Sequence, residues 1–138
     1  SVVEGNFYSS FLTSSYFAKE LIANRKNGVI VNLSSISHFG NRGQAAYSAM
    51  KAAVNSMTTS MAKELGDFGI RVVAVAPGFV QTSNISENLS ENQIKYWREQ
   101  TALGRLGDIN EVVHAIVFCL ENGFFNGRVL HLDGGLYL

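Results

Sequence analysis

Hydrophobic and polar positions follow two different periods along this chain. Over residues 2–24 the period is helical: Phe7, Phe11, Ala18 and Ile22 form one stripe, and Tyr8, Leu12 and Tyr16 form a neighbouring one. So wide an apolar face predicts a helix buried on two sides. "NRKNG" closes it with cations and a glycine. "GVIVNLSS" then reads as a short buried strand, β-branched and uncharged. "ISHFGNRG" is a loop punctuated by Gly40 and Gly43. Helical spacing returns over residues 45–66, where Ala46, Met50, Val54, Met57, Met61 and Leu65 recur, and "DFG" stops it. "IRVVAVAP" reads as a second buried strand, ended by Pro77, the only proline. Residues 79–104 are polar and less periodic, which predicts a loop with short helices. "DINEVVHAIVFCLEN" is a helix, with Asp108 as N-cap and Glu111 completing a capping box. "RVLHL" is a last strand, followed by "DGG".

Continuous apolar strands alternating with helices predict one α/β domain, a doubly wound parallel sheet with helices on both faces. There is no repeat, low-complexity tract or internal linker. With 138 residues and 46% hydrophobic content the chain can bury a core. Lys plus Arg number 11 and so do Asp plus Glu, which leaves no basic footprint for nucleic acid. No apolar run approaches the roughly 20 residues of a membrane span, and nothing at the start resembles a signal peptide. A single cysteine, Cys119, excludes an internal disulfide and suits a reducing compartment, so a cytoplasmic location is expected. The N-x-S triplets at Asn32, Asn84 and Asn88 mean little without secretion. The chain begins at Ser1, inside the first helical stretch, and that start reads as a cut.

Candidate chemistry centres on "QAAYSAMKAAVNSM". Tyr47 and Lys51 are four residues apart on a helix and so share one face. Packing is one reading of that pair. The other is proton transfer: an ammonium beside a phenol favours the phenolate, and such a tyrosine can protonate a carbonyl oxygen. Ser34 and Ser35 end the preceding strand, at the strand end where an open parallel sheet places its ligands. "APGFVQT" ends the next strand with a turn in which Gly78 admits a close backbone approach. A hydrolase built from Ser35, His38 and Asp133 is disfavoured, since there is no G-x-S-x-G elbow. The three histidines have no metal-ligand spacing, and no metal is expected. Met50, Met57 and Met61 are most simply core or subunit interface. Trp97 with Tyr96 either lines a pocket or anchors its loop.

"NGVIVNLSS", "GNRGQAAYSAMKAAV", "AKELGDFGIRVVAVAPGFVQT", "GRLGD" and "LHLDGG" together resemble the short-chain dehydrogenase/reductase family, over nearly the whole chain. The nearest type is the 3-oxoacyl-[acyl-carrier-protein] reductases. The resemblance implies a Rossmann-like fold and NAD(P)-dependent hydride transfer between nicotinamide and a carbonyl/alcohol pair, with an acyl thioester as one candidate substrate. NADP is favoured over NAD. The implied catalytic set is Asn6, Ser35, Tyr47 and Lys51. Tyr47 and Lys51 also meet the cofactor, together with Pro77, Gly78, Val80 and Thr82. Counting forward from Gly28 makes Ser35 the active serine; counting back thirteen from Tyr47 makes it Ser34. Strand register is harder to shift than loop length, which favours Ser35. Family members pair the helices at 2–24 and 45–66, so a homodimer or homotetramer is expected, with Phe7, Phe11, Met57 or Met61 near the interface.

The chain departs from the family pattern in places. "GRLGDINEVV" lacks a proline, Asn126 replaces a threonine, and Phe68 replaces a basic residue that helps dock acyl carrier protein. Arg25 and Lys26 supply part of such a patch. No G-x-G-x-x-G occurs. Residues 1–138 therefore read as the catalytic and substrate half of a single domain, without the N-terminal nucleotide-binding half. Alone they are expected to be inactive. The alternative function is a non-catalytic assembly module or pseudoenzyme.

Overall fold

Val72, Val73, Ala74, Val75 and Ala76 are fully buried, and the strand that carries them is the axis of the fold. This is β2 (Ile70–Pro77) of a computed structural model that describes residues 4–82 and 89–136. β2 pairs in parallel with β1 (Gly28–Leu33) on one side. On its other side it pairs, again in parallel, with the last strand, β5 (Val129–Leu132). The sheet order is β1-β2-β5.

Successive strand residues point to opposite faces, and each face of β2 meets its own helices. Ile70 and Val72 join Ile30 in a core with Ala18, Met57 and Met61. Those residues come from α1 (Ser9–Ala23) and α2 (Ala45–Leu65). Val73 and Val75 face the other way, into a second core with Ala115 and Cys119 of α4 (Ile109–Glu121). The fold is therefore the Rossmann-like arrangement predicted, a parallel sheet with helices on both faces. Between β2 and α4 run β3 (Val80–Gln81), α3 (Glu91–Gln100) and β4 (Gly107–Asp108). β3 and β4 form a separate parallel pair.

Several details differ from the sequence expectation. The first helix opens as a π-helical turn, Glu4–Tyr8. It is closed by Arg25 rather than a glycine: Arg25 is left-handed at φ 52°. The amides of Arg25 and Lys26 bond back to Ile22 and Leu21, while Gly28 already belongs to β1. The predicted α2 stripe is buried at Val54, Met57 and Met61, but Ala46 is exposed. The N-terminal half of α2 turns Ser48 and Lys51 inward instead. The loop after β1 holds a 3₁₀ turn, Ile36–Phe39, with Ser35 as its N-cap. Within residues 79–104, α3 is a full helix opened by a capping box between Ser90 and Gln93. The predicted box at the start of α4, Asp108 with Glu111, is present.

One polar chain crosses the first core. Ser14 Oγ donates to Asn32 Oδ1 at 3.4 Å, Asn32 Nδ2 donates to Thr58 Oγ1 at 3.0 Å, and Thr58 donates to Val54 O at 2.8 Å. Asn32 is buried by this network, so its N-x-S triplet presents no accessible amide. Asn84 and Asn88 lie outside the described residues. Among the described residues no helix is long and apolar enough to cross a membrane.

Candidate active site

The site is assembled where β1 and β2 end together. Leu33 sits opposite Val75 in the parallel register, and Ser34 N extends the ladder by donating to Val75 O at 2.8 Å. α2 then passes this edge. Lys51, 8% exposed, reaches back so that Nζ donates to the Leu33 carbonyl at 2.9 Å. Tyr47 lies one turn earlier, with Lys51 Nζ 5.6 Å from its ring centroid. Burial pushes the Lys51 ammonium below its ordinary value of 10.5, because desolvation penalises the charged form.

The two serines are held differently. Ser34 is buried, and its Oγ donates to the Lys51 backbone carbonyl at 3.3 Å. Ser35 is half-buried, and its Oγ accepts the Ser37 amide at 3.1 Å. That bond uses a lone pair, which leaves the Ser35 hydroxyl proton to donate elsewhere.

Beyond β2 the turn Pro77–Thr82 folds over the same edge. Gly78 N donates to Leu132 O at 2.9 Å. A Cβ at Gly78 would stand 3.0 Å from the Asp133 Cα, so the close approach of two backbones requires glycine here. Gly107 N donates to Phe79 O at 2.9 Å and fixes the far side of the turn.

These elements enclose a cleft of about 480 Å³, within the usual range of small-molecule sites. Its polar lining includes Ser34, Ser35, Tyr47 and Lys51; the turn contributes Pro77, Gly78, Val80 and Thr82. The structure thus brings together every predicted site residue except Asn6. That residue is half-buried on the π turn, which packs against α2, and it is not among the residues lining the cleft. Sequence reasoning missed the apolar wall, formed by Leu33, Phe79, Leu89, Ile109 and Val112. Ile109 and Val112 look like ordinary stripe residues of α4, and nothing in their spacing marks them as lining a site.

A Ser-His-Asp relay is not assembled. Ser35 Oγ accepts from Ser37 N, His38 Nε2 pairs with His131 Nε2 at 2.8 Å, and Asp133 Oδ1 accepts from Gly135 N. Burial, then the neighbouring His131, hold His38 below its ordinary 6.5. Among the described residues no group of three or more His, Cys, Asp or Glu is arranged to hold a metal.

A family profile described as "Enoyl-(Acyl carrier protein) reductase" matches residues 1–137. The 3-oxoacyl-[acyl-carrier-protein] reductase of Mus musculus is 41% identical over 139 aligned residues, which cover 100% of this chain and 56% of that protein. The chain belongs to the short-chain dehydrogenase/reductase family. It spans a little over half the length of the curated relatives it matches. Solved members of the family superpose closely on this short-chain dehydrogenase/reductase. The 3-hydroxyacyl-CoA dehydrogenase type-2 of Mycobacterium avium is 31% identical with a TM-score of 0.90, covering 99% of this chain and 55% of that one. A short-chain dehydrogenase of Leptospira borgpetersenii with bound NAD+ is 27% identical with a TM-score of 0.88, covering 96% and 54%.

Proposed function

We propose that the protein containing this chain is an NAD(P)-dependent oxidoreductase that interconverts a carbonyl and an alcohol. The observation that carries this reading is the convergence of Tyr47, Lys51 and Ser35 with the Pro77–Thr82 turn on one cleft. The cleft's size and its mixed lining fit the nicotinamide end of a dinucleotide. Tyr47 and Lys51 would hold the ribose, and Pro77, Gly78, Val80 and Thr82 the carboxamide and adjoining phosphate. When bound, that coenzyme supplies or accepts the hydride.

The chain's own residues handle the proton. Ser35 donates a hydrogen bond to the substrate oxygen and orients it. Tyr47 gives its phenolic proton to that oxygen in reduction and takes it back in oxidation. Lys51, anchored on Leu33 O, stabilises the charge left on the phenol. Asn6, on the adjoining turn, belongs to the route that replaces the proton.

An acyl thioester is the substrate class that the apolar wall and the relatives support best. NADP is favoured over NAD as the coenzyme. A homodimer or homotetramer is supported by the aromatic side chains that α1 and its leading turn leave exposed, Tyr8, Phe11, Tyr16 and Phe17. The direct test is an assay of the full-length protein with NADPH or NADH and a set of carbonyl substrates, 3-oxoacyl thioesters among them. Failure to oxidise either coenzyme with any of them would overturn this reading in favour of an assembly module.

A further inference from the structure

Phe79 stands inside the Pro77–Thr82 turn and forms part of the cleft wall. Its backbone is fixed by Gly107, but its ring is fixed from outside the cleft. It stacks on the indole of Trp97, with centroids 4.0 Å apart and planes at 19°. Tyr96 then meets Trp97 edge-on, at 5.0 Å and 74°. α3, which carries both, has no fully buried residue. Its C-terminal end is tied down by Ala102 and Leu103 amides on the Gly135 and Gly134 carbonyls. Between that tie and the helix start, the Phe79–Trp97 stack joins α3 to the cleft wall. Trp97 itself does not line the cleft.

We propose that Trp97 is a positioning residue for substrate selection: by backing the Phe79 ring it fixes the width of the cleft's apolar end, and so the size of the acyl or alkyl group accepted beside the reacting carbonyl. This rests on the reading of the cleft as a carbonyl-reducing site. Ser35, Tyr47 and Lys51 supply polar groups to the cleft, so a substrate whose oxygen meets them beside the coenzyme has Phe79, Leu89, Ile109 and Val112 as apolar surface for its acyl or alkyl group. The indole, stacked 4.0 Å from the Phe79 ring, stands in the way of a swing toward α3. Without it the ring can retreat and the apolar end widens. A stack that served only to hold α3 would affect every substrate alike.

The experiment uses the full-length protein, its Trp97→Ala, Trp97→Leu and Trp97→Phe variants, and 3-oxoacyl thioesters of increasing chain length, with kcat and KM measured separately. Trp97→Ala shifts the long-to-short ratio of kcat/KM upward by about tenfold, the scale of fitting one or two methylenes in an apolar pocket, and does so through KM. Trp97→Phe restores the original ratio, because a ring again backs Phe79. If Trp97→Ala does not fold, Trp97→Leu serves, since it keeps apolar bulk without a stacking face. An unchanged ratio, or a uniform loss across all chain lengths, overturns the proposal. If the unsubstituted protein reduces none of these substrates, the functional reading fails and the stack is tested by emission. Trp97 is the single tryptophan of this chain, and subtracting the Trp97→Phe spectrum isolates it. An emission change that depends on acyl length then supports the positioning role, and none overturns it.

Discussion

Lys51 is held from two directions at once: its Nζ by the Leu33 carbonyl, and its own carbonyl by Ser34. Among the described residues Tyr47 has no comparable hydrogen bond, only the Lys51 ammonium over its ring, so the two residues should fail differently. In the full-length protein, Tyr47→Phe removes the proton donor and should lower turnover by about 10²–10⁴, the usual worth of general acid catalysis, with coenzyme affinity unchanged. Lys51→Ala should lower both. Near-normal turnover in Tyr47→Phe, measured alongside a coenzyme titration, would count against the assignment. For the serines, Ser35→Ala should damage kcat more than Ser34→Ala. The latter should instead cost about 1 kcal/mol of stability, as a lost buried hydrogen bond. The opposite order in kcat would move the role to Ser34. The Tyr47–Lys51 pair was legible in sequence because a spacing of four on a helix has only one geometry. The serines were not, because a loop one residue short of the pattern makes two counts disagree.

His38 adds a pH dependence at the same scale. His38 is held below its ordinary value by burial first and by His131 second. The folded protein therefore binds fewer protons than the unfolded chain as pH falls below 6.5, and stability must fall with it. Stability is complete above that value and is lost as pH drops through the folded-state value. Urea midpoints measured between pH 8 and pH 5 should decline, and the decline should flatten in His38→Gln.

At the level of elements, α4 owes its C-terminal end to a residue of β2. Arg71 Nη1 donates to the Cys119 and Phe125 carbonyls at 2.8 and 3.0 Å, and Nη2 donates to Leu120 O at 2.9 Å. The Cys119 and Leu120 carbonyls belong to the last turn, where a helix end leaves them orphaned and the dipole favours a cation, and Phe125 lies in the loop beyond. Arg71→Met should cost about 1.5–3 kcal/mol, read as a lower denaturation midpoint with an unchanged m-value. No loss would mean that water satisfies those carbonyls equally well. At the other end of α4, Glu111 is held down to about 2 by the Arg105 guanidinium and then by the Asp108 amide. The Asp108–Glu111 box was legible because both residues lie in one turn. The Arg71 cap was not, because its partners are about 50 residues away in sequence. The β3–β4 pair was illegible for another reason: two residues per strand carry no period.

For the molecule as a whole, the outer edge of β1 has no strand partner among the described residues. Residues 1–138 also contain no glycine-rich phosphate cradle. Made alone, this stretch should bind NADPH poorly and tend to associate through that edge. Calorimetry on the purified stretch tests it, and tight stoichiometric binding by a soluble, folded sample would sink the claim. The parallel sheet covered on both faces was legible because apolar runs in β1 and β2 leave no solvent face; the strand order β1-β2-β5 was not. Which helix covers which face was not, since periodicity gives a stripe without its partner.

The polar chain from Ser14 through Asn32 to Thr58 binds α1, β1 and α2 into one object, and it constrains how this sequence can change. Replacing any one member strands a buried polar group, at about 1–3 kcal/mol, whereas replacing all three with apolar residues of similar shape can be nearly neutral. The three codons are therefore epistatic: each single step descends before the triple change recovers. Lineages that carry this fold should be found with the whole trio or with none of it, and rarely at a halfway point.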